Sequence, residues 1–228
     1  MDINEIIKKL ESGELSVTDK STVIKSGELV KQGGTAVDFE INHGWNPISA
    51  MNCDKKWGAF NMEMLEHIRN QNHTEEDLTI VLNELHMEDG HWDWFMKSLF
   101  TKKDEYEWFF FHADEKVQGA CLIYHPKQSE IDAEEIFYIE YVAVAPWNRN
   151  NPYKEKEFSG VGSHLINCVL DHAVNALGLV YGFSLLSLPK ASPYYEKIGM
   201  VNFKNKDQDP LAYYEMPREK AKEMLGVA

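Results

Sequence analysis

The strongest indication of the fold of this chain is in residues 135–165, whose sequence is EIFYIEYVAVAPWNRNNPYKEKEFSGVGSHL. Residues 135–146 are rich in aromatic and β-branched side chains, a composition that predicts a buried β-strand. After Gly160 the apolar side chains recur with the helical period, so that Val161, Leu165 and Val169 share one stripe. The segment therefore predicts a strand, a loop and an amphipathic helix that begins at glycines.

The flanking sequence extends this pattern in both directions. Upstream, Thr74 is a candidate N-cap for a helix, and a second helix is expected through Trp92 to Phe100. Residues 106–113 and 117–125 have strand periodicity and are joined by a turn at 114–116, so with 135–146 they predict a three-stranded antiparallel meander. Downstream we expect a strand at 180–188, a short helix capped by Ser192, and strands at 200–203 and 211–216. From residue 75 onward the predicted order is ααβββαβαββ.

Three short segments in this order resemble the GCN5-related N-acetyltransferase (GNAT) superfamily. VAVAPWNR at 142–149 is similar to the family's fourth strand and the loop after it, SGVGSHL at 159–165 to the end of the acyl-CoA signature RxxGxG/A, and ASPYYEKIGM at 191–200 to the segment AxxxYExxGF. The resemblance covers residues 75–217. It implies an α+β fold of three layers (α/β/α), with a mixed central sheet whose fourth and fifth strands splay apart. It also implies an N-acetyltransferase that uses acetyl-CoA and attacks it directly with a primary amine in a ternary complex.

Residues 1–74 carry no catalytic pattern. They begin with a short amphipathic helix that ends at Gly13 (Ile3, Ile6, Ile7 and Leu10), and continue with Val- and Ile-bearing stretches broken by glycines. A further helix is predicted around residues 60–68. We expect residues 1–74 to be an N-terminal extension packed on the main domain, and residues 75–228 to be the acyltransferase domain. The extension could cover a flank of that domain or form a homodimer contact.

The glycine-led helix start is the predicted cofactor site. A helix N-terminus offers free backbone N–H groups and the positive end of the macrodipole to a pyrophosphate, and glycines let that backbone approach closely. The segment expected to bind comprises Ser159, Gly160, Val161, Gly162 and Ser163. By resemblance, the main chain of the strand residues Val142, Ala143 and Val144 pairs with the pantetheine arm.

One position departs from the family pattern. Glu157 stands where the family has Arg or Gln, and eight extra residues separate Arg149 from Gly160 relative to the common PxxRxxG spacing. A carboxylate would repel a phosphate, so we expect Arg149, Lys154 or Lys156 to supply the missing cation.

Two residues are candidates for proton transfer. A primary amine has a pKa near ~10 and must lose a proton before it attacks, so a base is needed. Glu140 is the candidate base, because strand alternation predicts that it shares a face with Val142 and Val144. By resemblance Tyr195 is the acid that protonates the leaving thiolate, whereas Tyr194 is expected to pack. Leu188 replaces an Asn that is common in the family.

The acceptor site is predicted at Trp92, Asp93 and Trp94, because aromatic faces beside a carboxylate suit an ammonium ion. At least one of the two tryptophans is expected in the core. We expect no metal site, because the neighbouring histidines His86 and His91 are badly spaced to share a helical face. The three cysteines are widely separated and are expected to be reduced core residues (Cys53, Cys121 and Cys168).

Charge narrows the class of partner. The 228 residues carry a formal net charge of -14, and the excess of acid is 3 in residues 1–74, 11 in 75–157 and 0 in 158–228. A nucleic-acid binder normally gathers Lys and Arg, so the acidic middle argues against nucleic acid and favours a small or peptidyl cationic amine. The sequence has no apolar run long enough for a membrane span and no signal peptide at residue 1, so we expect a cytoplasmic protein.

Three alternatives stay open at this point. A non-catalytic acyl-CoA-binding regulator is favoured by Glu157 and Leu188. A toxin-like acetyltransferase that acts on aminoacyl-tRNA is disfavoured by the acidic middle. A protein-modifying enzyme would need a flat acceptor groove.

Overall fold

The computed structural model describes Lys8, residues 20–101 and residues 103–227, so the predicted helix at residues 3–10 lies outside this part except for Lys8. The strands are β1 Thr22–Val30, β2 Ala36–His43, β3 Tyr106–Ala113, β4 Lys116–Gln128, β5 Glu135–Val144, β6 Phe183–Ser187, β7 Val201–Asn202 and β8 Ala212–Met216. The helices are α1 Pro47–Arg69, α2 Glu75–Glu84, α3 Trp94–Phe100, α4 Val161–Asn175, α5 Ser192–Lys197 and α6 Arg218–Leu225. From residue 75 to residue 216 the predicted order of elements is confirmed, and α6 is a further helix that the sequence did not predict.

One mixed sheet holds all of these strands in the order β1-β2-β3-β4-β5-β6-β8-β7. Its neighbours are antiparallel except β5 and β6, which are parallel and pair over only three positions, ending at Ile139 and Leu185. Beyond these positions the two strands part. Strands β5 and β6 are the fourth and fifth strands that the resemblance predicted to splay apart. Strand β1 lies at one edge of the sheet.

Two cores cover the two faces of the sheet, which makes the three layers. On β3 the side chains alternate between them: Phe109 and Phe111 pack on the side of α4, whereas Trp108 and Phe110 pack on the side of α1. All four are at most 2% exposed. Burying each side chain of this size is worth about 1.5–3 kcal/mol relative to leaving it in water. The predicted α+β, three-layer fold is therefore confirmed.

Residues 20–69 share the sheet and both cores with the rest of the chain. Strand β2 pairs with β3, with Ile41 opposite Phe111. Helix α1 begins at a cap in which the side chain of Asn46 accepts from the backbone N–H of Ser49 at 2.8 Å. Trp57 of this helix donates to the carbonyl of Val117 on β4. Both cores thus take side chains from either side of residue 74, where the sequence predicted the acyltransferase domain to begin.

Two predicted helix starts are wrong by one or two residues. Helix α3 begins at Trp94, because the side chain of Asp93 accepts from the N–H of Met96 at 2.8 Å and caps it. Trp92 therefore lies in the preceding turn. In α5, Ser192 is the first helical residue, and the cap position belongs to Ala191. Within the described residues, every helix is too short or too polar to span a bilayer.

Candidate active site

A cleft of about 690 Å³ lies where β5 and β6 part, and we call it the strand cleft. Strand β5, the start of α4 and helix α5 form its walls. The predicted site residues among those that line it are Val142, Ala143, Val144, Arg149, Gly160, Gly162, Ser163 and Tyr195. The structure thus brings the predicted strand, helix start and tyrosine together around one cavity.

The start of α4 presents unused backbone donors to this cleft. Gly160 adopts a φ of +79°, which favours glycine, and no side chain caps the helix. The first turn closes with the N–H of His164 donating to the carbonyl of Gly160 at 2.9 Å. The N–H groups of the first three helical residues, 161–163, precede that bond and have no helical partner. Such an uncapped end of a 15-residue helix fits an anion such as a pyrophosphate.

Glu157 points away from the helix start. Both of its carboxylate oxygens accept from the ammonium group of Lys116, at 2.9 and 3.0 Å, near the turn between β3 and β4. Its backbone carbonyl accepts from the N–H of Gln32 at 2.9 Å. The negative charge that occupies the family's Arg or Gln position is therefore paired with a lysine, and the inserted loop is fastened to the β1–β2 hairpin.

Arg149 lines the strand cleft, but its donors are already used. Its guanidinium forms a bidentate pair with Asp89 at 2.6 and 2.5 Å and also donates to the carbonyl of His86 at 2.8 Å. The remaining N–H groups donate to the carbonyl of Val144 at 2.9 and 2.6 Å, which fills both lone pairs of that oxygen. Arg149 therefore closes off the carbonyl of Val144 and has no N–H left for a phosphate.

The two loop lysines differ in position. The ammonium group of Lys154 lies 3.9 Å from the carboxylate of Glu63 and 4.5 Å from the ring centroid of Tyr153, away from the strand cleft. Lys156 lines the cleft, and in the described part of the chain no hydrogen bond or ion pair engages its ammonium group. Of the three predicted cations, Lys156 is the one with a charge available to the cleft.

Glu140 occupies a β-bulge. Tyr141 pairs with Leu122 and Ile139 with Ile123, so Glu140 is the extra residue of β5. The bulge breaks the alternation: Val142 and Val144 pack with the α4-side core, together with Ile139, whereas the electrostatic neighbours of Glu140 are Tyr106, Tyr138 and Lys97. The prediction that Glu140 shares a face with the two valines is wrong for this reason. Burial raises the pKa of Glu140, and the charge of Lys97 opposes the rise.

Both tyrosines of α5 line the strand cleft. Tyr195 is 7% exposed, and burial raises the pKa of its phenol, which keeps the hydroxyl protonated and able to donate. Tyr194 is partly exposed, and its hydroxyl lies 3.2 Å from the Oγ of Ser163 in the first turn of α4. Tyr194, which the sequence predicted to pack, therefore also faces the cleft.

A second cavity of about 420 Å³, the tryptophan pocket, lies between α1 and the segment that precedes α3. Trp92, Asp93 and Trp94 all line it. Trp94 is buried in the core, and the Asp93 carboxylate caps α3. Trp92 packs edge-on to Tyr141, with ring centroids 4.9 Å apart. The ammonium group of Lys97 lies 3.7 Å from the centroid of the Tyr141 ring, so one aromatic face beside the pocket already holds a cation from this chain.

Asp54 of α1 is a residue of this pocket that the sequence analysis missed. Its two oxygens accept from the backbone N–H groups of Trp94 and Phe95, each at 2.8 Å. Burial raises its pKa to about 6, although these hydrogen bonds lower it. The sequence around Asp54 gives no signal of this role, because the partners of its carboxylate are some 40 residues away in the chain.

The Asp89–Arg149 ion pair belongs to the lining of both cavities. Its two charges neutralise each other, and the side chains are only 12% and 16% exposed. The pair therefore forms a wall between the strand cleft and the tryptophan pocket.

Comparison with known proteins finds solved structures that are similar to this chain in fold. No family model matches the chain, and no curated protein is significantly similar to it in sequence. A protein of Desulfovibrio desulfuricans described as an acetyltransferase of the GNAT family is 17% identical, with a TM-score of 0.45 over 78% of this chain and 98% of its own. The GNAT domain of S. lividans PAT is 10% identical, with a TM-score of 0.46 over 84% and 96%. Mycobacterium smegmatis RimJ, solved in complex with CoA-disulfide, is 14% identical, with a TM-score of 0.47 over 89% and 93%.

The assignment of the fold depends on the topology itself. A meander leads into β5, the glycine-led α4 follows, and β6 returns parallel to β5 before the two part. This topology is that of the GNAT fold, which the sequence resemblance predicted.

Proposed function

We propose that this protein is an N-acetyltransferase that transfers the acetyl group of acetyl-CoA to a primary amine by direct attack in a ternary complex. The observation that carries the proposal is the strand cleft, in which an uncapped, glycine-led helix start lies beside the free edge of a parted strand. An anion and an extended chain can be held there together: the helix start binds the pyrophosphate, and the strand edge pairs with the amide-bearing arm.

The cofactor contacts follow from the groups that remain available. The backbone of residues 159–163 binds the pyrophosphate, and Lys156 supplies the cation. Arg149 fills the carbonyl of Val144. The N–H of Ala145 donates to the carbonyl of Gln118 on β4, so strand alternation turns the backbone of Ala143 towards β4 as well. Pairing with the pantetheine arm therefore falls to the backbone of Val142 and the N–H of Val144. Arg149 acts by shaping the cleft and not by binding phosphate.

Glu140 and Tyr195 divide the proton transfers. Acetyl-CoA supplies the activated thioester when it is bound. A carboxylate with a raised pKa is a better match to the proton of an ammonium group, and Glu140 has this property because it is buried. Glu140 does not line the strand cleft, and its neighbour Tyr106 packs with the core on the α1 side of the sheet. An amine that approaches from the α1 side would meet Glu140, and the buried phenol of Tyr195 donates a proton to the departing thiolate.

The acceptor enters by the tryptophan pocket in this proposal. Its lining carries Trp92, Asp93 and Trp94, and it shares the wall of Arg149 and Asp89 with the strand cleft. The acidic excess of 11 charges in residues 75–157 attracts an ammonium group and repels a polyanion. A small or peptidyl amine is therefore favoured over RNA as the acceptor.

The test is a screen for thiol release from acetyl-CoA with polyamines, lysine-bearing peptides and charged tRNA, run beside a calorimetric measurement of CoA binding. We expect CoA binding and thiol release with at least one class of cationic amine. Release with charged tRNA alone would replace the proposal with the toxin-like alternative. Absence of CoA binding would overturn the cofactor site itself.

A regulator that binds acyl-CoA without catalysis is the second candidate. It is favoured by the position of Glu140, which the bulge places apart from Val142 and Val144, and by Leu188, whose side chain offers no hydrogen bond to the strand cleft. In that case CoA binds with normal affinity, no amine releases thiol, and Tyr195→Phe leaves binding unchanged.

A further inference from the structure

Three histidines and a glutamate meet at the end of the sheet farthest from the start of α4. His43 ends β2, Glu107 lies near the start of β3, His125 lies near the end of β4, and His172 lies in the last turn of α4. His172 follows Val161 by eleven positions in the helix, which corresponds to roughly 16 Å along the axis. The cluster is therefore separate from the strand cleft and plays no part in the function proposed above.

The imidazoles converge on one carboxylate. The Nε2 atoms of His43 and His172 each lie 2.9 Å from the Oε2 of Glu107. The Nε2 of His125 lies 3.6 Å from the Oε1 of the same residue. The four side chains are between 13% and 25% exposed, so the cluster is largely enclosed but an ion can reach it from solvent.

The spacing suits a tetrahedral metal ion. Zinc binds imidazole nitrogen at ~2.0–2.1 Å and carboxylate oxygen at ~2.0–2.2 Å, so neighbouring ligand atoms around it lie roughly 3.4 Å apart. The nitrogens of His43 and His172 lie 2.9 Å from Oε2 of Glu107, closer than this value, and the 3.6 Å distance of His125 is to the other oxygen, Oε1. The ligand atoms of His43, Glu107 and His172 all lie within 4.8 Å of one another, whereas His125 lies outside this set and approaches the other oxygen of Glu107. Small side-chain movements would bring them around one ion.

His125 supplies an independent observation. Its Nε2 is buried and has no hydrogen-bond partner, because 3.6 Å exceeds hydrogen-bond distance to Glu107. A cluster held together by hydrogen bonds alone leaves this nitrogen unsatisfied, which is costly inside a protein. A metal ion between the four side chains would use it as a ligand.

We propose that His43, Glu107, His125 and His172 bind one divalent transition-metal ion, with zinc preferred. Three imidazoles and a carboxylate, with no thiolate, are borderline ligands that suit zinc in tetrahedral geometry. Four protein ligands leave no position open for substrate, so the ion is structural. It ties β2, β3 and β4 to the C-terminal end of α4, and it revises the expectation from sequence that the chain has no metal site.

The first experiment measures metal content. Full-length protein is stripped with a chelator, given one equivalent of Zn²⁺, passed over a gel-filtration column and analysed by elemental mass spectrometry. We expect one zinc per chain in the wild type and in His73→Gln, a half-buried histidine outside the cluster that pairs with Gln71. The double variant His43→Gln/His172→Gln should lose affinity by more than the ~10–100-fold typical of an altered outer-shell partner. Equal zinc content in the double variant would overturn the proposal.

The second experiment uses the wild type alone, so it does not depend on how a variant folds. Co²⁺ is added to the stripped protein and its visible absorption is recorded. A four-coordinate site gives intense d–d bands, which added Zn²⁺ should abolish by displacement. A spectrum no stronger than that of aqueous Co²⁺ would show that the four side chains do not enclose an ion, and would overturn the proposal.

Discussion

The strand cleft and the tryptophan pocket share the Asp89–Arg149 wall but offer opposite chemistry. The cleft presents backbone N–H groups at an uncapped helix start and the ammonium group of Lys156. In the pocket the corresponding helix start, that of α3, is fully used by two carboxylates of the chain itself, Asp93 and Asp54. A helix N-terminus is therefore a candidate anion site only where the protein leaves its backbone donors unpaired.

The ion pair between the two cavities shows that side-chain donors, like backbone donors, can already be occupied within the protein. The sequence offers Arg149 as a cation for phosphate, but Asp89 and two backbone carbonyls take up all of its donors. A charged residue beside a cavity is available to a ligand only if its charge is not already paired. The five predictions below test this contrast, beginning with the largest effect.

Gly160→Val should abolish the function of the cleft and leave the pocket unchanged. Valine at a φ of +79° is strained by about 1–2 kcal/mol, so the helix start should rearrange. Loss of two backbone hydrogen bonds to a charged group, each worth ~1.5–3 kcal/mol, lowers CoA affinity by ~100-fold or more. Calorimetry checks this, and Gly178→Val, at a φ of +71° with open space around it, is the matched control that should bind normally. Unchanged affinity in folded Gly160→Val would place the pyrophosphate elsewhere.

Tyr195→Phe should lower turnover by ~10² or more, as expected for a lost proton donor, with little change in CoA affinity. Tyr194→Phe is the matched neighbour, and because its hydroxyl contacts Ser163 it should alter affinity more than turnover. Steady-state kinetics and calorimetry separate the two effects. The reverse pattern would make Tyr194 the acid.

Glu140→Gln should also lower turnover by ~10², but only over part of the pH range. The deficit should be largest at the low end of the working range, where the amine arrives protonated, and should fade towards the amine pKa near ~10. A pH–rate profile checks this, with the exposed Glu135→Gln on the same strand as control. A profile parallel to that of the wild type would remove Glu140 from proton transfer.

Lys156→Gln should weaken CoA binding by roughly tenfold, the scale of one charge-assisted hydrogen bond. Lys154→Gln removes the same charge from the same loop at a position away from the cleft and should have little effect. Calorimetry at two ionic strengths measures both, since the lysine contribution should shrink with salt. Equal losses of CoA affinity in the two variants would mean that the overall charge of the loop, and not the position of Lys156, determines binding.

Asp54→Asn should have the smallest effect, and it is measured as a change in stability. Because the folded-state pKa is about 6 and the unfolded value is near 3.8, the folded protein binds the extra proton between these pH values. Stability should therefore fall as pH rises through this window, by about 1–2 kcal/mol after allowance for partial exposure. Thermal unfolding of Asp54→Asn should show a flatter pH dependence, with exposed Asp38→Asn as control. An unchanged slope would contradict the raised pKa.

The region from residue 106 to 175 could be predicted in detail from local signals. The strands of the meander and the glycine-led α4 follow from residue periodicity and from the glycine requirement of a positive φ, both of which are local. The bulge at Glu140 could not be predicted, because it depends on the register between β4 and β5. Without the bulge, alternation assigns Glu140 to the wrong face.

Local sequence is enough to predict the order of elements, the backbone geometry at Gly160 and a tyrosine in α5. The availability of charges depends on tertiary contacts, which pair Arg149 with Asp89 and Glu157 with Lys116 and leave the charge of Lys156 in the strand cleft. Tertiary contacts also bring together His43, Glu107, His125 and His172 from four elements. The two kinds of feature depend on interactions of different range along the chain. Periodicity and backbone strain are set by neighbours in the chain, whereas ion pairing and ligand geometry depend on distances of a few ångströms between residues far apart in sequence.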